Sequence, residues 1–246
     1  MNNRTLSIRC IAVGITLLIA FMTLPAALAA HPFKPVSIEY VVSLDSDKLG
    51  NATLGTTETV LKHTAAGYSV FSKTKAQGLA AIIIGSNEQQ SCEFEVVDGR
   101  TISTEYGGGR TDSGDYQVGF DYHERKIRFS GGDVLDMPNG YVVDNCNMPF
   151  AAALLHDQNL AQESLYVVDG RKKRIRGYTL KSVDNENIDT PLGRMKTIKM
   201  VFEREFNPAR TFTFWLSPVN EFMPIKMEEK RRSRTTTMLA SKLETN

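Results

Sequence analysis

Two cysteines are the side chains of this sequence whose chemistry depends most directly on a partner. Cys92 and Cys146 remain once Cys10 is removed with the N-terminal segment described below, and an even pair in an oxidising compartment predicts a disulfide. Two buried free thiols are the alternative. The spacing is not Cys-x-x-Cys, the arrangement that tunes thiol reactivity, so a redox or metal site is the weakest of the three interpretations.

Two basic runs could form a site for an anionic partner. One contains Lys172, Lys173 and Arg174, and the other contains Arg231 and Arg232. If the two runs lie on one face of a sheet, they would form a positive stripe that meets anionic lipid headgroups or acidic glycans. The alternative is a solvated strand face whose basic residues discourage pairing of sheet edges.

Trp215 and an unbroken apolar run complete the candidate interaction surface. Trp215 alternates with Phe214 and so faces the opposite side of its strand, which predicts either a sheet covered on both sides or a side that meets a ligand. The apolar run, residues 79–84, includes Ile82, Ile83 and Ile84. It is typical of a strand buried on both faces, or of an apolar lip that contacts a lipid tail or a membrane.

Common catalytic signatures are absent from the sequence. We find no Gly-x-Ser-x-Gly elbow, no His-Glu-x-x-His motif and no phosphate-binding glycine-rich loop. The acidic residues Asp115, Asp121, Glu203 and Glu205 are candidates for an unrecognised site, but their spacing brings no two of them together. The four histidines are scattered, and each is interpreted as a solvated or core residue. We therefore expect no cofactor and no metal.

Alternating apolar and polar residues predict the elements that must position these side chains. The pattern recurs around Ile38, Val118, Met200 and Phe214, and it is typical of half-buried strands. Asp98 and Gly99 have the composition of a two-residue hairpin turn. One helix is expected from residue 149 to about residue 160, with Asn147 as its cap. These signals predict a mainly β fold, a single antiparallel and strongly curved sheet or partial barrel wrapped around one short helix.

The first 29 residues have the features of an export signal. Arg4 and Arg9 precede an apolar run of about fifteen residues, which is shorter than the roughly twenty that span a bilayer. Ala27 and Ala29 provide the small-x-small pattern of a cleavage site. We expect residues 1–29 to be a signal peptide and residues 30–246 to be one β-rich periplasmic domain, with no membrane span after cleavage. No linker or repeat marks a further boundary.

The charge balance excludes one class of partner. The chain has 29 basic and 28 acidic residues, so it lacks the strong basic field that general nucleic-acid binding requires. We expect no nucleic-acid partner.

The C-terminal half also carries a family-like order of motifs. Thr190-Pro191-Leu192-Gly193 is followed by Trp215-Leu216-Ser217 and then by Phe222-Met223-Pro224-Ile225-Lys226. This order resembles the exported bacterial proteins grouped as the domain of unknown function 3108. The resemblance implies a β-rich periplasmic protein with no established enzyme activity and no catalytic residues to carry over.

Two hypotheses for function follow. The first is a non-enzymatic binding or cell-envelope maintenance protein with an apolar interior and a lipid or other envelope component as its partner. The second is an enzyme that acts on an envelope lipid or polysaccharide through an unrecognised site.

Overall fold

The computed structural model describes residues 32–47, 50–77, 87–110, 114–157 and 164–245. These residues form one sheet of fifteen strands, one α-helix and one short 3-10 helix, Pro218–Asn220. The predicted signal segment, with its cleavage site, lies outside the described residues. No helix among those that are described is both long enough and apolar enough to cross a membrane.

The first eight strands are β1 (Val36–Ser46), β2 (Gly50–His63), β3 (Tyr68–Ala76), β4 (Glu88–Val97), β5 (Arg100–Arg110), β6 (Gly114–Asp121), β7 (Lys126–Phe129) and β8 (Val134–Asp136). After β9 (Tyr141–Asp144) comes helix α1 (Met148–Asp157). The remaining strands are β10 (Ser164–Asp169), β11 (Arg174–Thr190), β12 (Gly193–Arg204), β13 (Arg210–Ser217), β14 (Met223–Arg231) and β15 (Arg234–Thr245).

The strand order is 8-7-6-5-4-3-2-1-15-14-13-12-11-10-9. Two meanders are therefore joined by the antiparallel pairing of β1 with β15, and among the described strands only the β9–β10 pair is parallel. This architecture confirms the predicted mainly β, largely antiparallel sheet with one short helix. The predicted Asp98-Gly99 turn is also present, with φ of 50° and 74°, the positive values that a type I′ hairpin requires.

Helix α1 lies inside the curve of the sheet. It contacts β5 in the half of the strand order that ends at β8, and β9, β13 and β14 in the half that ends at β9. Ala151 and Ala152 are fully buried, and Phe150, Leu154 and Leu155 are buried as well, as expected for a helix that is apolar on all sides. The helix ends at Asp157, and the predicted extension to residue 160 lies outside the described residues.

Side-chain contacts bring the two ends of the sheet together. The Thr101 backbone N–H on β5 donates a 2.7 Å hydrogen bond to the Tyr141 hydroxyl on β9. Further along, Arg171, which follows β10, forms a 2.8 Å ion pair with Glu88 on β4. No backbone pairing between β8 and β9 is present among the described strands. The sheet is thus closed by side chains rather than by a continuous ladder.

The predicted disulfide is present and links two distant elements. Cys92 on β4 is bonded to Cys146, two residues before α1, with a Cα–Cα distance of 6.0 Å. The bond attaches the start of the helix to the inner face of the sheet.

Candidate functional site

A cavity of about 380 Å³ lies between α1 and the inner face of the sheet. Its apolar walls come from both halves of the strand order, and α1 contributes Met148 and Phe150. The principal apolar side chains from the strands are Ile38, Leu61, Val70, Phe212, Phe214 and Met227. The cavity is therefore an interior space that the curved sheet and the helix build together.

Strand alternation determines which side chains face this cavity. On β13, Phe212 and Phe214 point inward. Arg210, two residues before Phe212 at the start of the strand, lies on the same face. On β12, inward-facing Phe202 is followed two positions later by Arg204. Because side chains alternate along a strand, each arginine lies on the same face as the aromatic residues that precede or follow it. The apolar wall thus continues into a row of guanidinium groups.

This row forms the cationic mouth of the cavity, which we define as Arg174, Arg176, Arg204, Arg210 and Arg231. The five residues come from β11, β12, β13 and β14. Register places Arg204 opposite Tyr178 and Arg210 opposite Arg231. Because these strands are neighbours in the sheet, the arginines collect at one rim of the curved sheet.

Two arginines of the cationic mouth have carboxylate partners. Arg174 forms a 3.0 Å ion pair with Asp169, and the Nε and Nη2 atoms of Arg231 donate to the two Glu229 carboxylate oxygens. The carboxylates are therefore already occupied by neighbouring guanidinium groups.

The other three members of the cationic mouth have no such partner. Arg176, Arg204 and Arg210 form no ion pair within the described parts of the chain. The Nε atoms of Arg176 and Arg210 are buried and make no hydrogen bond there. A buried donor without an acceptor costs free energy, and native proteins usually provide a partner.

The electrostatics of the mouth reflect this excess of positive charge. Burial, followed by the nearby Arg176 and Arg210, lowers the pKa of Arg204. The pKa of Lys172 is also lowered, first by burial and then by Arg174 and other arginines of the mouth. Like charges at close range disfavour the protonated forms, so an incoming anion would relieve repulsion.

The structure brings together members of both predicted basic runs. Arg174 and Arg231 line the cavity, and Lys172 lies near enough to both to be influenced by their charge. Lys173 instead forms a 2.5 Å ion pair with Asp133 in the β7–β8 turn. Arg232 is exposed in the β14–β15 turn and does not line the cavity.

Trp215 lies away from the cavity. Its side chain is only 3 % exposed, and it is covered by Lys199 and Lys226, whose Nζ atoms lie 5.2 and 4.1 Å from the ring centroid. These distances are typical of cation–π contacts, and the two aliphatic stems shield the ring from water. We therefore do not include Trp215 in the site. Ile82, Ile83 and Ile84 lie outside the described residues, between β3 and β4.

A second polar cluster surrounds the disulfide. The fully buried Asp144 carboxylate accepts hydrogen bonds from the Ser103 hydroxyl and from the backbone N–H groups of Cys146 and Asn147, each at 2.8 Å. Cys92, Asp144 and Cys146 are close enough for a metal site, but the two sulfurs are bonded to each other. The Asn147 side chain bonds Ser103 and Asp144 rather than capping the helix. This cluster anchors α1, and of its members Cys146 alone lines the cavity.

The structure keeps the four acidic candidates apart. Asp115 faces a groove on the outside of the sheet, and Asp121 accepts a hydrogen bond from the Glu124 backbone. Glu203 pairs with Lys181, while Glu205 lies beside Gly177. None of them lines the interior cavity. The hypothesis of an enzyme with an unrecognised site therefore stays a prediction without a constellation to support it.

The described histidines have local structural contacts. His63 makes a 2.8 Å hydrogen bond with the Phe33 carbonyl through Nε2. His156 on α1 packs against the Phe222 ring, and His123 lies in the exposed β6–β7 turn. None of these three lines the interior cavity.

A wider groove of about 760 Å³ runs over the outer face of β3–β6. Gly107, Gly108 and Gly109 form its floor, and the exposed Phe71 stands at one wall. The groove is open to solvent and has no buried charged group in its lining. The interior cavity is the stronger candidate because it combines enclosure with unpaired charge.

Sequence reasoning missed Arg204 and Arg210, although a signal for both was present. Each continues an alternation that already included apolar residues, Met200 and Phe202 on one strand and Phe212 and Phe214 on the other. Extending each pattern by one step would have placed both arginines on the inner face. Arginine is mostly exposed in proteins, so an arginine at a strand end is ordinarily interpreted as solvated.

Comparisons with known proteins agree with this architecture. None of the curated proteins that were compared matches the chain in sequence. The crystal structure of a beta-barrel-like protein of DUF1849 from Brucella abortus is similar, with a TM-score of 0.54 and 10 % identity over 87 % of this chain and 98 % of that one. This likeness confirms the β-barrel-like fold and nothing beyond it.

A second solved structure is a putative outer membrane lipoprotein-sorting protein domain from Vibrio parahaemolyticus. It matches with a TM-score of 0.26 and 11 % identity, over 87 % of this chain and 86 % of that one. At the level of sequence, residues 39–238 match the family model described as protein of unknown function (DUF3108), from β1 into β15. The resemblance seen in the motifs is confirmed, and this chain belongs to the DUF3108 family.

Proposed function

We propose that this protein is an exported periplasmic binding protein that holds the apolar chain of an envelope amphiphile in its interior cavity. The largely apolar cavity between α1 and the sheet, next to the cationic mouth, is the observation that carries the proposal. The predicted signal peptide and the disulfide support an extracytoplasmic site of action.

The size of the cavity suits a single acyl or alkyl chain. A methylene group occupies roughly the volume of a water molecule, about 30 Å³, so 380 Å³ accommodates about a dozen of them. Burial of each methylene contributes about 0.8 kcal/mol. Affinity should therefore rise about threefold to fourfold per added methylene and should stop rising at about twelve.

The composition of the wall suits a flexible occupant. Met148, Met223, Met227 and Met238 all line the cavity. Methionine is unbranched and polarizable, so it adapts to an irregular apolar partner more readily than a branched side chain does. The wall can then follow the bends of an alkyl chain.

The experiment measures binding of a neutral apolar fluorophore to the purified exported protein, and its displacement by n-alkanols of eight to sixteen carbons. The expected result is saturable binding with the chain-length dependence given above. Val70→Phe, which narrows the cavity, should weaken binding, whereas Phe71→Trp on the outer face of the same strand should leave it intact. A folded wild-type protein that binds no neutral apolar ligand would overturn the proposal.

A complementary measurement is mass spectrometry of organic extracts from the protein purified without detergent. A co-purifying amphiphile that is less abundant in Val70→Phe than in wild type supports the proposal, and an equal amount in both preparations contradicts it.

A further inference from the structure

We propose that Arg176, Arg204 and Arg210 form a receptor for the anionic headgroup of the amphiphile, a phosphate or carboxylate oxyanion. This inference rests on the proposed function and deepens it, because it names the chemical class of the ligand. The cavity would hold the chain, and the three guanidinium groups would hold the head at the mouth.

The first observation in support of this receptor is the pairing of charges at the mouth. The acidic residues that line the cavity are Glu88, Asp169, Glu228 and Glu229, and each already has a basic partner. Their partners are Arg171, Arg174, Lys226 and Arg231, respectively. No lining carboxylate is therefore left for Arg176, Arg204 or Arg210, and their charge is available to a ligand.

The buried donors carry the second step. The Nε atoms of Arg176 and Arg210 have no acceptor within the part of the chain that is described, yet both residues line the cavity. A solvated guanidinium on an open surface would direct its N–H groups to water. These two atoms are shielded from bulk water and lack an acceptor, and a turn of each side chain towards an oxyanion in the mouth would supply one.

Convergence from three strands carries the third step. Arg176, Arg204 and Arg210 come from β11, β12 and β13, which are consecutive neighbours in the sheet. Arg176 lies two residues before Tyr178, and Tyr178 is paired with Arg204. Guanidinium groups have a planar fork of donors that matches the geometry of carboxylate and phosphate oxygens. Three such forks around one rim favour a tetrahedral or planar oxyanion over a neutral or cationic head.

The test compares dodecyl phosphate, below its critical micelle concentration, with dodecanol, below its solubility limit, because the two share a chain and differ in the head. Wild-type protein should bind dodecyl phosphate at least tenfold more tightly at low salt, and this preference should shrink as salt is added. Arg204→Gln and Arg210→Gln should each lower the affinity for dodecyl phosphate about tenfold and leave the affinity for dodecanol unchanged.

Arg232→Gln is the matched control, since Arg232 is exposed in the neighbouring β14–β15 turn and does not line the cavity. It should leave both affinities unchanged. Equal affinities for the two ligands in wild-type protein, or an equal loss in the control, would overturn the proposal. If dodecanol fails to bind while dodecyl phosphate binds with an arginine-dependent affinity, the apolar-chain proposal fails and the oxyanion receptor stands.

The last measurement is the affinity of the wild-type protein for inorganic phosphate alone. This ion should bind at least a hundredfold more weakly than dodecyl phosphate, because the chain supplies most of the affinity. Comparable affinities would show a site for free oxyanions and would contradict a headgroup receptor. Thermal unfolding controls for folding: the arginine variants should be at least as stable as wild type, because each substitution removes repulsion between like charges.

Discussion

The Ser103 hydroxyl donates a 2.8 Å hydrogen bond to the Asp144 carboxylate, although the two residues lie 41 positions apart in the chain. This contact joins β5 to the end of β9 and lies directly before α1. It makes the stability of the closed sheet depend on the ionisation of one fully buried acid.

We expect stability to fall as the pH rises through the titration of Asp144. Burial raises the pKa of this carboxyl to about 6, against about 4 in an unfolded chain, so the native state binds the extra proton between these values. Unfolding in urea from pH 4 to 8 should show wild type losing up to about 3 kcal/mol relative to Asp144→Asn. Parallel pH profiles for the two proteins would contradict this assignment.

Removal of the disulfide should lower the free energy of unfolding but leave the cavity in place. Cys92 and Cys146 are separated by 54 positions, for which the chain-entropy model gives about 4 kcal/mol. We expect the double variant Cys92→Ala/Cys146→Ala to lose roughly 2–4 kcal/mol in chemical denaturation. Wild-type protein denatured with a reductant is the control, and it should show a similar loss. An unchanged midpoint would mean that the bond constrains little.

A methyl group at position 170 should disturb the closure of the sheet. A Cβ there would lie 2.5 Å from the Tyr116 ring on β6, whereas a Cβ at Gly119 on the same strand would meet nothing within 4 Å. We expect Gly170→Ala to cost about 1–3 kcal/mol and Gly119→Ala to stay within about 0.5 kcal/mol of wild type. Thermal and urea unfolding measure both. Equal effects of the two substitutions would argue against tight packing of this turn on Tyr116.

Truncation of Trp215 should affect stability and leave ligand binding unchanged. The indole is buried under two lysine stems and lies outside the cavity lining, so Trp215→Ala should cost about 3–5 kcal/mol. Trp215→Phe, which retains most of the buried area, should cost less. Denaturation provides the free energy, and the alkanol assay provides the affinity. A loss of affinity in a folded Trp215→Ala protein would indicate that the ligand binds on the face of the sheet that carries Trp215.

Local patterns predicted most of the elements, because alternation and turn chemistry act over a few residues. The Asp98-Gly99 hairpin and the strand around Phe214 are examples. The pairing of β1 with β15 was beyond such reasoning, since it joins opposite ends of the chain and leaves no local signal. Two members of the cationic mouth were missed for a related reason. Arg204 and Arg210 acquire their role only when three strands are aligned side by side.

The link between β8 and β9 also determines how far the closed sheet can open. These are the two outermost strands, yet only residues 137–140 separate them in the chain. Four residues span at most about 14 Å, and the Arg125 side chain holds this crossing through the Met137 and Pro138 carbonyls. The seam can therefore widen away from this link without breaking any strand ladder, but only by losing side-chain contacts such as Thr101–Tyr141 and Arg171–Glu88. The link itself keeps the two margins within reach of each other.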